Sequence, residues 1–476
     1  VDRTNVGRTA QLTAAAPRRA APSLRTRAAE VLWANWMGTS TVPSRQLYPH
    51  QWSWDSAFIA IGLRHLSPLR AQLELETLLS AQWGDGRVPH IVFNPAVPLD
   101  AYFPSPDFWR STTAGRAAGA PCAVQTSGIV QPPVHALAVW LVHRADPGLS
   151  RARSFLARAH PRLAAWHRYL LHRRNAGGAG LACVVHPWEQ GMDNSPCWDA
   201  PLNRITPADP SAYRRADLAH GAPEDRPTDL DYGRYVRLAA DYRDRGYGDG
   251  AGGVSGAGGF AVEDPAFNAL LIASEYALAL IEAELGMPGA SAGRRARART
   301  LTGVLVERLW DPVDGMFFCR DLRAGDSGHS GDSGRSGQLV PERGVGGLIP
   351  LILPALPRPI AAALVRTAYG PHFGLGGPAR LAPSYDLTGS AFDARRYWRG
   401  PAWFNTNWLL ERGLRLHGEL ARADGLRRSL LEVAGESGFA EYVDPHTGRG
   451  CGARGFGWSA ALTLDLLLDD QGGVQG

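Results

Sequence analysis

The stretch Tyr48-Pro-His-Gln-Trp52-Ser-Trp54-Asp55-Ser-Ala-Phe58 sets two tryptophans and an aspartate directly ahead of an apolar run at helical spacing. The chain repeats this pattern of a loaded loop feeding a plain helix. Apolar residues recur every three or four positions over 24–38, 55–65, 67–83, 132–146, 150–172, 228–245, 265–284, 292–310, 356–368, 404–417, 424–436 and 457–469, which predicts about a dozen helices. Some connections are short. Others, at 84–130, 184–227, 371–403 and 438–456, are long and rich in Trp, Pro, Gly and Asn. Helical hairpins arranged in a ring would gather the long loops at one mouth, where a pocket can be built from distant segments. The expected fold class is all-α, a toroid of paired helices.

Residues 1–22 are basic and proline-containing and read as a flexible N-terminal arm. Residues 23–476 read as a single domain with a flexible insertion near 322–337, where Gly, Ser and Asp alternate, and a glycine-rich surface insertion at 246–259. Hydrophobic residues make up 45% and charged residues 20%, the balance of a chain with an ample core. The net charge of +5 is spread without any basic run interleaved with aromatics, so no nucleic-acid partner is expected. No apolar run is expected to reach the length needed to span a bilayer. The five cysteines are odd in number, widely spaced and without a CxxC pair; a cytoplasmic protein is the expectation. Homo-oligomerisation is left open.

Two acidic segments carry the chemistry: His186-Pro-Trp-Glu-Gln-Gly-Met-Asp193-Asn-Ser-Pro and Phe439-Ala-Glu441-Tyr-Val-Asp444-Pro. Acetal hydrolysis needs one carboxyl to protonate the departing oxygen and another to activate water or attack carbon, with aromatic faces holding the ring. Asp193 has a plainer reading as a cap of the next segment, and Glu441 as a solvated strand-end residue. Glu436 competes with Glu441 but fits the polar face of a helix ending near Gly438. Gly191 suits a close backbone approach. Asp55 could be a simple N-cap, yet two flanking tryptophans suit a carboxylate that binds sugar hydroxyls. In Arg396-Tyr397-Trp398-Arg399-Gly-Pro-Ala-Trp403 the residues ahead of the helix, Tyr397, Trp398 and Trp403 among them, are candidates to line a pocket. His135 reads as a satisfied helix residue. Histidines lack metal-ligand spacing, and no phosphate-cradling loop is present, so neither metal nor cofactor is expected.

Trp54-Asp55-Ser-Ala-Phe58, Glu189-Gln-Gly-Met-Asp193-Asn-Ser195, Tyr397-Trp-Arg-Gly-Pro-Ala-Trp403 and Glu441-Tyr-Val-Asp444 occur in that order. Together they resemble glycoside hydrolase family 63, with a weaker likeness to trehalases. Within the family the chain is most similar to bacterial glucosylglycerate and mannosylglycerate hydrolases, from about Tyr48 to Ser459. The resemblance implies an (α/α)6 barrel with the active site among long loops at one mouth. It also implies inversion at the anomeric carbon, with Asp193 as general acid and Glu441 as general base, about 6.5–9.5 Å apart. Trp52, Trp54 and Asp55 then match the grip on the non-reducing sugar, Tyr48 a loop closing over it, Gly191 a backbone contact, and Tyr397 and Trp403 the pocket walls. Gln131 competes with Gln125 for one position. Arg226, with Arg214 and Arg215 as rivals, matches a cation for the glycerate carboxylate.

The expected partner is therefore a small carbohydrate. The first function is an inverting α-glycosidase acting on 2-O-glucosylglycerate, then mannosylglycerate. Alternatives are a related glucosidase on a trehalose-like or kojibiose-like disaccharide or an oligosaccharide, a sugar isomerase or epimerase, and a non-catalytic carbohydrate-binding protein.

Overall fold

The structure, a computed structural model, describes residues 22–219, 223–249, 259–324 and 337–469. Nearly all of the arm at 1–22 and most of the insertions at 246–259 and 322–337 lie outside them. Among the described residues twelve helices reach eleven residues or more. They are α1 (Leu24–Ala34), α2 (Ser53–Leu63), α3 (Pro68–Ser80), α4 (His135–Ala145), α5 (Phe155–Arg173), α6 (Asp229–Asp244), α7 (Pro265–Glu284), α8 (Pro288–Leu309), α9 (Arg358–Ala368), α10 (Phe404–Leu416), α11 (Leu420–Ser437) and α12 (Gly457–Leu468).

Side-chain pattern and packing sort eleven of these helices into two kinds, with α6 outside both. Every residue of α2 is buried, as a helix that is apolar all round must be. In α12, Gly457 through Leu466 are buried. By contrast α9 buries only Ala361, Leu364, Val365 and Ala368, the single stripe of a helix with one solvated face. The buried kind forms a circuit: α2 packs on α4, α4 on α7, α7 on the 3-10 helix Val345–Ile352, that helix on α10, α10 on α12, and α12 back on α2. The second kind lies against it: α1 on α12, α3 on α2, α5 on α4 and α7, α8 on α7, α9 on the 3-10 helix, and α11 on α10.

Helix starts obey local rules. Pro265 takes the first position of α7, where its missing N–H costs nothing, and the Asp264 carboxylate accepts the Phe267 N–H at 2.7 Å. This twenty-residue helix is long and apolar enough to cross a bilayer, a length the sequence reading overlooked, yet it is mostly buried within the protein. Periodicity also did not reveal Val345–Ile352, an apolar run in which Pro350 removes a donor and forbids a regular α-helix.

The fold is mostly helical and not purely so. Antiparallel strands of two or three residues stitch the long loops: Gln51–Trp52 pairs with Ile91–Val92, and Tyr442–Val443 lies between Ala402–Trp403 and Gly450–Cys451. A four-stranded set joins Cys183–Val184, Val262–Glu263, Cys319–Asp321 and Gln338–Val340. These stitches fix the loops at the N-terminal ends of the buried helices.

The circuit closes where α2 meets α12, and Gly62 permits it. A Cβ there would run into the Ala461 backbone. Gly62→Ala is expected to destabilise the protein by about 1–3 kcal/mol, read as a lower thermal melting point; an unchanged melt would show that the two helices can part without cost.

Candidate active site

A cavity of about 100 Å³ opens among these loops, room for several waters when roughly 10–15 Å³ holds one. Its walls come from distant parts of the chain. Trp54 and Asp55 stand in the first turn of α2, Trp458 in the first turn of α12, and Gln131 ahead of α4. Asp193 follows the short turn Pro187–Gln190, and Glu441 immediately precedes the strand Tyr442–Val443.

Glu441 is almost fully buried and held on both oxygens. Tyr48 donates to Oε1 at 2.8 Å and Tyr397 at 3.3 Å, while the Ala453 N–H donates to Oε2 at 3.0 Å. The turn that supplies the Ala453 amide passes so close that a Cβ on Gly452 would overlap Glu441 Oε2. A carboxylate offers about four acceptor positions; three are taken, and one remains for a water.

Asp193 is treated differently. Apart from its own amide, its carboxyl has no hydrogen-bond partner among the described residues, while Tyr235 secures its backbone by donating to the Asp193 carbonyl at 2.7 Å. Burial pushes its pKa up to about 7; Glu441 and Asp217 push the same way, and Arg226 and its own N–H oppose. Asp55 is also raised well above the usual carboxylate range, mainly by burial, with Glu441 and Asp193 adding to the effect. One acid is therefore held by three donors, and another is set to hold a proton near neutrality.

Arg226 is the cavity's cation. Nη1 donates to the Tyr48 hydroxyl at 3.2 Å, and the guanidinium lies 4.8 Å over the Tyr397 ring. Among the described residues no carboxylate pairs with it, whereas Arg215 is bound to Asp217 at 2.6 Å and Arg214 contacts the Asp100 carbonyl. Arg226 keeps donors for a ligand.

Tyr48, Trp52, Trp54, Asp55, Gln131, Gly191, Asp193, Arg226, Tyr397 and Glu441 all line this cavity. Rival readings resolve locally. Glu436 is exposed and paired with Arg380 at 2.6 Å; Gln125 is exposed. Asp55 is the third residue of its helix and caps nothing. Ser195, not Asp193, caps the following turn. Gly191 has φ +81°, and a Cβ on it would stand 2.5 Å from the Trp54 ring, so the close approach is to that indole. His135 is a buried helix residue whose Nε2 lies 2.9 Å from Ser53 Oγ, but it is only half satisfied, since its Nδ1 has no partner among the described residues.

Trp398 and Trp403 are corrections. Neither lines the cavity; they stack on each other with ring centres 3.8 Å apart, and Trp403 braces Tyr397 edge-on at 5.1 Å. A loop position ahead of a helix did not distinguish the wall from its backing. Of the two tryptophans that flank Asp193 in sequence, Trp188 lines the cavity, while Trp198 turns away and donates to the Met192 carbonyl at 2.8 Å. Sequence reasoning missed His90, Tyr102, Phe103, Asp217, Tyr232 and Trp458. Tyr102 and Phe103 sit in a long loop already marked as unusual, but no motif singled them out.

The sequence matches the family described as "Mannosylglycerate hydrolase MGH1-like glycoside hydrolase domain" over residues 48–459. It is 40% identical over 442 residues to a mannosylglycerate hydrolase of Rubrobacter radiotolerans, covering 92% of this chain and 95% of that one. It is 38% identical over 455 residues to a glucosylglycerate hydrolase of Mycolicibacterium hassiacum, covering 93% and 97%. Its structure superposes on the family 63 mannosylglycerate hydrolase of Thermus thermophilus in complex with Tris and D-glycerate, with TM-score 0.81, 39% identity and coverage of 93% and 99%. That enzyme has also been solved with glucose.

Gly452→Ala is expected to displace the Glu441 carboxylate and abolish most glycoside hydrolysis, with a modest fall in melting temperature. Full activity in that variant would show that Glu441 need not occupy its observed position.

Proposed function

Because the chain belongs to the family 63 mannosylglycerate and glucosylglycerate hydrolases, and so is a glycoside hydrolase, we propose that it cleaves a glycosyl glycerate with inversion. The favoured substrate is 2-O-glucosylglycerate, then mannosylglycerate. We read the circuit of six buried elements and the six helices against it as an (α/α)6 barrel within one domain. One observation carries the substrate: Arg226, a buried cation with no carboxylate partner among the described residues, on the wall of a cavity that also holds four acids, Asp55, Asp193, Asp217 and Glu441. A glycerate carboxylate supplies the missing anion, and guanidinium suits it geometrically. A neutral sugar would leave the guanidinium without a direct carboxylate partner, Glu441 acting on it only from beyond the shared Tyr48 hydroxyl.

The chemistry follows from the contrast between the two acids. Asp193, protonated near neutrality, gives its proton to the glycosidic oxygen as the C1–O bond breaks, so glycerate leaves with a neutral hydroxyl. Glu441 takes a proton from the water that attacks C1 from the opposite face. Tyr48, Tyr397 and the Ala453 amide keep its remaining lone pair aimed at that water. Tyr48 also contacts Arg226, so the base and the cation share one hydroxyl. Trp52, Trp54 and Asp55 hold the sugar ring, the carboxyl binding hydroxyls and the indoles covering apolar faces.

Asp193→Asn and Glu441→Gln are each expected to lower kcat by at least about 10²–10⁴-fold while the melting curve stays cooperative; ordinary turnover in either would refute its role. Because the acid must carry its proton, kcat/KM should fall as pH rises through about 7. A rate flat to pH 9 would contradict this. Arg226→Ala should raise KM for glucosylglycerate and leave a neutral glucoside unaffected. Equal effects on both would point to a neutral disaccharide.

A further inference from the structure

Asp193 owes its orientation to its backbone, because no neighbouring side chain holds its carboxyl. Tyr235 holds the Asp193 carbonyl at 2.7 Å, and the start of the turn that leads to it is held beneath the cavity. Glu189, four residues upstream, is wholly buried and lines no part of the cavity. Its Oε1 accepts from Arg174 Nη2 at 2.8 Å and the Val130 N–H at 3.3 Å. Its Oε2 accepts from Arg174 Nη1 at 2.6 Å and the Val185 N–H at 2.8 Å. One carboxylate therefore ties together three separate segments.

Each tether leads to the site. Val130 adjoins Gln131, whose side chain accepts the Trp54 N–H at 3.1 Å. Val185 begins the turn that ends in Asp193. Arg174, also fully buried, is held by Tyr169 at 3.0 Å and by Asp249 at 3.2 Å. Tyr169 and Tyr242 each donate to Asp249 at 2.7 Å, and Arg87 bonds Tyr242 at 3.0 Å and the Gly128 carbonyl at 2.7 Å. A buried ion pair is poor value for stability, since apolar residues of the same volume often do as well. What apolar residues cannot do is fix direction: the planar fork and the two amides define the carboxylate's orientation, and with it the turn.

We propose that the Glu189–Arg174 pair is the positioning device for Asp193: without touching substrate, it sets the turn so that the Asp193 proton points at the glycosidic oxygen. This rests on the assignment of Asp193 as the acid. The role is separable from folding because α-glucosyl fluoride, whose leaving fluoride needs little protonation, bypasses the acid but still needs the base and the sugar site.

Glu189→Gln and Arg174→Lys are to be assayed on glucosylglycerate and on α-glucosyl fluoride, with melting curves to establish folding. The expected result is a fall in kcat of about 10–100-fold on glucosylglycerate, KM within about twofold, and no more than about a threefold fall on the fluoride. Equal losses on both substrates, a change confined to KM, unimpaired turnover, or failure of both variants to fold would overturn the proposal. Asp193→Asn run in parallel separates the two layers. If its loss is confined to glucosylglycerate, the acid assignment stands whatever the Glu189 variant does; equal loss on both substrates removes that assignment and this proposal with it.

Discussion

The contact between α2 and α12, near opposite ends of the described chain, is the constraint on which the site depends. Tyr48, Trp54 and Asp55 surround the start of α2, and Glu441 lies in the loop ahead of α12. Gly62 lets these helices meet backbone to backbone, and in that arrangement Tyr48 reaches Glu441 and Arg226 together. The packing of apolar helices, a non-directional force, thereby produces a directional polar arrangement. The short strands finish the work by fixing the loops, Tyr442 opposite Trp403 and Trp52 opposite Ile91.

Once closed, the cavity imposes an electrostatic problem. Glu441 acts on both Asp55 and Asp193 within it, Asp193 acts on Asp55, and burial penalises the charged form of both aspartates. The protein answers unequally: three donors for Glu441, and for Asp193 only its own amide and a distant guanidinium. That inequality is the functional content of the site. Two identical environments would have given two identical acids, whereas glycoside hydrolysis needs one proton donor and one acceptor at the same pH.

Much of the fold was legible because helical periodicity is strong wherever one stripe is buried, as in α9, and α7 was read to its observed ends, 265–284. The buried 3-10 helix was not, since Gly346, Gly347 and Pro350 break any period and its short apolar run resembles several structures equally. Site residues were found where acids and aromatics cluster in sequence. Reading failed where depth mattered: Trp398 and Trp403 have the composition of a wall but the place of its backing. It also failed for Tyr102 and Asp217, brought in by tertiary packing alone. The part played by Glu189 was hidden for a related reason, because its partner Arg174 and its tether Val130 belong to other segments.

The central claim is that Asp193 and Glu441 act on opposite faces of one anomeric carbon, a water lying between carbon and base. Proton NMR of the first-formed sugar from α-glucosylglycerate, recorded before mutarotation, tests it most directly. With a water-activating base, β-glucose appears first. α-Glucose as the initial product would mean retention, and would contradict the assignment of Glu441 as a base that activates water.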